Sequence, residues 1–401
     1  MAHEARAPER GSGGVCQTET MSSPTVLVAH PGAEMYGSDR VLLDSVVGLV
    51  GSGARVVVAL PGEGPLADAL RTSGATVTVA DAFVLRKRLM RPSGWGELLR
   101  TGWRGLRSAW RLIGQTRPDV VYVSTITLPV WPVLARLRRV PVALHVHEGE
   151  ASAGRVTKAV LYAPALFARR ILVNSTFSLN VMTSAYRRLG GRSVVVANAV
   201  PGPDRPTPPR AELDGGLRVL FVGRLSPRKG PDLVVDAVRL LAERGVTASL
   251  EIVGSAFEGY EDYVRAMEQS IAAADLEDRV ALRGFHADIW GFLSDNDVLV
   301  VPSRLDEPFG NTAVEGVLAA RPVVVSDTSG LREATAGIDT ALRVQPDSAT
   351  AIADALLSMI ERWPHLRDRV EASRRLAAER HAPAAYQRRV AELITGLSAR
   401  P

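Results

Sequence analysis

Residues 298–325 read VLVVPSRLDEPFGNTAVEGVLAARPVVV. An apolar run of strand length, VLVVPS, opens into a polar loop that turns through Pro308 and Gly310 into a short alanine-rich helix, and a second apolar run, PVVV, follows. This reads as a buried parallel strand, a site loop, a helix and the next strand. The turn lets backbone N–H groups of Phe309, Gly310 and Asn311 point at an anion or a sugar hydroxyl at the helix start. Glu307 precedes the turn and Glu315 sits about one helical turn inside the helix. Two carboxylates so placed can accept hydrogen bonds from different parts of one elongated polyhydroxylated ligand, and a vicinal diol suits either. The plainer alternative makes Glu315 a solvated helix residue and Glu307 a loop charge.

The EPFGNTAVE segment, Glu307 to Glu315, resembles the paired-glutamate signature of the retaining nucleotide-sugar glycosyltransferases of family 4. That resemblance extends over nearly all of residues 24–400. It implies an α/β chain of GT-B fold, two Rossmann-like doubly wound parallel-sheet domains facing across a cleft. It also implies transfer of a sugar from a nucleotide diphosphate-sugar donor to a hydroxyl acceptor, with no cofactor and no metal.

Composition sets the outer bounds. A chain of 401 residues, 46% hydrophobic and 23% charged, is long enough for two domains with separate cores. The single cysteine, Cys16, lies in a Gly/Ser-rich stretch, which excludes a disulfide framework and points to a reducing cytoplasm. No run of eighteen apolar residues is present, so no membrane span is expected. Residues 1–23 read as a disordered extension: Glu4, Glu9 and Glu19 interrupt any signal-like apolar core, and Met21 is a candidate start. The formal charge of +5 suits a protein that meets phosphates or an anionic membrane. No nucleic-acid partner is expected.

An N-terminal, acceptor-side domain is expected over residues 24–200. TVLVAH, a loop containing Gly37, and the helix VLLDSVVGLVGSG open it as a doubly wound sheet opens, and Gly37 allows backbone to approach a phosphate. Asp39 reads either as the helix cap or as part of that site. GSDR is similar to the family's glycine-rich loop against the donor diphosphate, with Tyr36 in place of one glycine. In VPVALHVHEGE, strand alternation puts His145 and His147 on one face, and His145, His147 and Glu148 reach the carboxyl end of the strand, where open α/β sheets bind ligands. The histidine pair lacks an evident third metal ligand. By resemblance, His147 contacts the donor sugar near the reacting carbon, and His145 and Glu148 support it.

Between Leu85 and Arg117, Trp95, Leu99, Trp103, Leu106, Trp110 and Ile113 recur at helical spacing, with Arg100, Arg104, Arg107 and Arg111 opposite. One reading packs the tryptophans onto the sheet and leaves the arginines wet. The other makes the Arg86–Arg111 region, with Lys87, Arg88 and Arg91, a peripheral contact with an anionic membrane.

The Pro- and Gly-rich residues 201–216 read as a linker. A donor domain is expected over 217–380, with residues 381–401 a final helix that, by resemblance, returns to the N-terminal domain. LRVLFVGRLSPRKG runs a strand into a loop bearing Arg224, Arg228 and Lys229 beside a helix start at Pro231, a diphosphate site or a set of solvated cations. Resemblance assigns Arg224 and Lys229 to the diphosphate, Glu315 to the ribose, Glu307 with Phe309, Gly310 and Asn311 to the sugar, and the turn at Gly284–His286 to the nucleobase. Asp295-Asn296-Asp297 reads as a helix stop rather than a metal motif. Two rivals stay open: a nucleotide-sugar 2-epimerase of the same fold, and a non-catalytic nucleotide-sugar or glycan-binding protein.

Overall fold

The computed structural model describes residues 23–85, 95–256 and 259–398, and of residues 95–99 the helical backbone alone. Two parallel sheets carry the chain. Strands β1 (Thr25–Ala29), β2 (Arg55–Leu60), β3 (Thr76–Val79), β4 (Val120–Val123), β5 (Val142–Val146), β6 (Arg170–Val173) and β7 (Ser193–Val195) lie in the order β3-β2-β1-β4-β5-β6-β7. Strands β8 (Leu217–Val222), β9 (Ala248–Val253), β10 (Val280–Gly284), β11 (Val298–Val301), β12 (Val323–Ser326) and β13 (Ala341–Val344) lie in the order β10-β9-β8-β11-β12-β13.

Valine-rich runs make these strands because both faces of each sheet are covered, so alternation is replaced by continuous apolar sequence. Leu27 stands level with Val57 and Val121, and Leu299 with Leu220 and Val323, all buried. In each sheet the order reverses beside the first strand, between β1 and β4 and between β8 and β11. Ligands of doubly wound sheets bind outside the strands' carboxyl ends at such a reversal.

The covering helices are α1 (Gly37–Gly51), α2 (Pro65–Thr72), α3 (Trp95–Thr116), α4 (Val130–Leu137), α5 (Arg155–Tyr162) and α6 (Thr176–Ala185) on the first sheet. On the second they are α7 (Pro231–Glu243), α8 (Glu261–Ala273), α9 (Trp290–Asp295), α10 (Asn311–Leu318), α11 (Ser329–Ala334), α12 (Ala349–Glu361) and α13 (Trp363–Arg380). The last helix, α14 (Pro383–Thr395), packs against α1. Tyr386, Val390, Ala391 and Ile394 join the apolar core of the first sheet beside Val41, Val46 and Leu49. Gly48 allows the close approach, since a Cβ there would lie 2.4 Å from the Gln387 carbonyl oxygen. Tyr386 Oη and Ser45 Oγ share a hydrogen bond of 2.7 Å. Where the chain crosses between the two units, Val200 N donates to His381 O at 3.1 Å.

Two expectations change. Trp103 is 65% exposed and Trp110 42% exposed, so these tryptophans do not pack on the sheet. Ala109, Leu112 and Ile113 do, and Gly105 sits where a Cβ would come within 2.5 Å of Phe83 N. The guanidinium of Arg138 covers the Trp110 ring at 3.9 Å. Arg86, Lys87, Arg88 and Arg91, like residues 1–22, lie outside the described residues, as do the side chains of Trp95 and Leu99. The Pro-rich stretch after Val200, read as a linker, is tied down: Arg210 clamps buried Asp297 through Nε at 2.8 Å and Nη2 at 2.5 Å, and Trp363 Nε1 donates to Arg210 O at 3.0 Å. Among the described residues, no helix is long and apolar enough to cross a membrane.

Candidate active site

The carboxyl ends of the two sheets face one crevice. One lobe is lined by Arg40, Phe285, His286 and Glu315, the other by His147, Glu148, Asn174, Asn198, Lys229 and Glu307, and Tyr36 borders both. Gly37, Arg224, Asn311 and Thr312 line both, so the two lobes make one elongated channel. The structure therefore brings Gly37, His147, Glu148, Arg224, Lys229, His286, Glu307, Phe309, Gly310, Asn311 and Glu315 to one crevice wall or the other. His145 is set apart: it is fully buried behind His147, with ring centroids 3.9 Å apart, and its Nδ1 shares a 2.8 Å hydrogen bond with Tyr122 Oη. The Phe309 ring also turns inward, edge-on to His381 at 5.4 Å, so that only its backbone can serve a ligand.

The turn after β11 owes its shape to two glycines. Gly310 adopts φ 109 and ψ 49, a left-handed conformation, and caps the N-terminus of α10. Gly330 brings α11 against the same turn, where a Cβ would lie 2.1 Å from Glu307 O. The result buries the Glu307 carboxylate among donors: Ser303 Oγ at 2.7 Å, Lys229 Nζ at 2.8 Å and Arg228 Nη1 at 3.2 Å. Burial pushes the Glu307 carboxyl up, but Lys229 and Arg228 outweigh it and hold the group below the usual glutamate range, so it stays ionised. Glu315 goes the other way, raised by burial that Arg40 and Lys229 only partly oppose.

His147 is the clearest electrostatic case. Burial, with repulsion from His30 added, lowers its pKa to about 3. A ring neutral through the physiological range offers a sugar hydroxyl one donor and one acceptor and is no general acid. Its backbone N donates to Glu148 Oε2 at 3.0 Å, and Thr125 Oγ1 donates to the other oxygen of that carboxylate. Burial raises the Glu148 pKa. We expect the His147 imidazole resonances to keep their neutral positions from pH 8 down to pH 5 in an NMR titration. A midpoint near the model-compound value, about 6.5, would contradict the buried geometry.

Several contacts close the crevice from both sides. Arg40 Nη2 donates to Ala287 O at 2.7 Å and Nη1 reaches Glu315 Oε1 at 3.4 Å. Asn198 Nδ2 donates to Asn311 Oδ1 at 2.9 Å, and Ser175 Oγ to Pro308 O at 2.5 Å. Glu333 accepts from Thr176 N at 2.8 Å and Phe177 N at 2.7 Å, so an acidic residue of α11 caps α6 across the gap. Sequence reasoning gave no role to Arg40, Asn174 or Asn198, and it read Arg228 only as one of the loop's candidate phosphate-binding cations, not as a partner of Glu307. Asn174 and Asn198 follow strands β6 and β7, so position at a strand's carboxyl end was the available signal. The histidine pair acquires no further ligands: among the described residues, no three His, Cys, Asp or Glu side chains converge as a metal site.

A family model described as Glycosyltransferase Family 4 matches residues 35–202, and one described as Glycosyl transferases group 1 matches residues 208–376. The alpha-D-kanosaminyltransferase of Streptomyces kanamyceticus is 31% identical over 163 residues, a match that spans 40% of either chain. The 2-deoxystreptamine glucosyltransferase of the same organism is 27% identical over 298 residues, 65% of this chain and 75% of that one. The fold is similar to that of Anabaena HepE, a structure solved in complex with UDP and glucose, with a TM-score of 0.77 and 22% identity over 94% of this chain and 100% of that one.

Proposed function

The chain belongs to the family 4 glycosyltransferases of GT-B fold, and from that premise we propose that it moves a hexose-type sugar from a nucleotide diphosphate donor to a hydroxyl acceptor, with retention at the anomeric carbon and without a metal ion. The observation that carries the reading is the meeting of Arg224, Arg228, Lys229, Glu307 and Glu315 in one channel. In this arrangement the nucleoside occupies the lobe of Phe285, His286 and Glu315, whose carboxylate accepts from the ribose diol. The diphosphate lies by Gly37, Arg224 and Lys229, and the sugar by Glu307, Asn311 and His147.

The difficult event is departure of the nucleoside diphosphate, whose charge grows as its bond to the anomeric carbon breaks. Fixed cations and the N-terminus of α10 stabilise that charge. Lys229 is shared between the phosphate and Glu307, which keeps its ammonium aimed into the channel. The acceptor hydroxyl attacks from the face the phosphate leaves. Its oxygen bonds to the anomeric carbon and its proton passes to the departing phosphate oxygen. Neutral His147 and ionised Glu307 hold sugar hydroxyls and so orient the ring.

The test incubates the full chain with UDP-, GDP- and dTDP-hexoses and a panel of hydroxyl acceptors, with and without EDTA. Donor binding is followed by thermal stabilisation and product configuration by NMR. Transfer with retained configuration, unchanged by EDTA, supports the reading. A donor isomerised at the sugar's second carbon, donor binding with no transfer or hydrolysis, inverted product or strict metal dependence would overturn it in those respective parts.

A further inference from the structure

The outward face of α3 carries a pattern that the channel does not use. Trp103, Leu106 and Trp110 stand 65%, 39% and 42% exposed along one stripe, at three- and four-residue spacing. Arg104, Arg107 and Arg111 are exposed beside it, and Leu137 at the end of neighbouring α4 adds another apolar side chain at 67% exposure. Isolated exposed apolar side chains are ordinary, but two tryptophans and a leucine aligned on one helix face are not.

Charge says what covers it. Residues 100–195 hold fifteen arginines and lysines against three carboxylates, an excess of twelve in a chain whose formal charge is +5, so the rest of the chain is net acidic. We infer that this face docks on an anionic phospholipid bilayer, with Trp103, Leu106 and Trp110 entering the headgroup boundary and the flanking arginines meeting lipid phosphates. A second copy of the chain is a poor occupant, because a two-fold contact would press two strongly cationic faces together. Nucleic acid would use the arginines and leave the apolar stripe wet.

The placement fits the proposed reaction. The docking face belongs to the first sheet's unit, and because a helix between parallel strands runs antiparallel to them, Trp103 in the N-terminal half of α3 lies toward the carboxyl ends of β1 and β4, the edge that faces the channel, with Trp110 and Leu137 toward the amino ends. A hydroxyl acceptor held in the bilayer would therefore arrive on the first-sheet side of the crevice. That last step rests on the transferase reading, whereas the docking does not.

The experiment sediments the full chain with vesicles of phosphatidylcholine alone and of phosphatidylcholine mixed with phosphatidylglycerol. Binding is expected only to the mixed vesicles, weakened by salt and with tryptophan emission quenched by brominated acyl chains. Trp103→Ala with Trp110→Ala, and separately Arg104→Glu with Arg107→Glu, should each weaken binding at least about tenfold while the thermal midpoint stays put. Equal binding by the variants, no preference for anionic lipid, unquenched emission, or retention on nucleic acid in place of vesicles would overturn the proposal.

Discussion

Replacing Lys229 with alanine is expected to lower kcat/KM for sugar transfer by roughly two to three orders of magnitude, the usual cost of removing one preorganised charge-stabilising donor. The ammonium lies 2.8 Å from Glu307 and lines the lobe that the proposed mechanism gives to the diphosphate and sugar. Arg228 does not replace it, because that guanidinium sits at 3.2 Å on the same carboxylate from the more exposed side. The protein should remain folded, since Glu307 keeps Arg228 and Ser303 as partners. Steady-state kinetics beside a thermal melt separates the two readouts. Turnover equal to wild type would remove Lys229 from the site.

Changing Glu307 to glutamine should produce a different signature. The carboxylate accepts from Ser303 and balances two cations, so the amide keeps the Ser303 contact and loses the charge. The channel then becomes more positive. Transfer is expected to fall roughly a hundredfold or more, while nucleoside diphosphate should bind up to about ten times more tightly, because Lys229 and Arg228 are no longer shared. Both cations retain contact with solvent, so the loss of their partner costs little stability. Calorimetry with the nucleoside diphosphate, set beside the transfer rate, reads both effects. Weaker nucleotide binding by Glu307→Gln would contradict that balance of charge.

The sequence was most informative where one local rule decides an outcome. The run VLVVPS could only be a buried strand, and a loop following such a strand lies at the sheet's carboxyl edge, which is why Glu307 and Asn311 were readable as crevice residues. The same rule makes sense of His147. It was silent on Arg40, whose partners Ala287 and Glu315 are about 250 or more residues away and are set by how the two sheets face each other. It misled on α3. Periodicity defines an apolar arc but not which way it turns, and here the inward direction was chosen by the smallest residues, Gly105 and Ala109, which let the helix lie flush on Phe83 and the sheet. The wide tryptophans lie outside because the part of the helix that meets Phe83 accommodates only Gly105 and Ala109, while Leu112 and Ile113 fill the space one turn on.

The helix at the end of the chain has a bearing on how the molecule is made. Val41, Val46 and Leu49 reach their native surroundings only when Tyr386, Val390 and Ile394 have arrived, so the first unit to leave the ribosome waits for α14, made after the whole second sheet, before its apolar surface is sealed. Ordinary vectorial maturation, in which an early domain is finished while a later one is still being translated, is closed to this topology. The nascent first unit carries an open seam until residues 383–395 have been made.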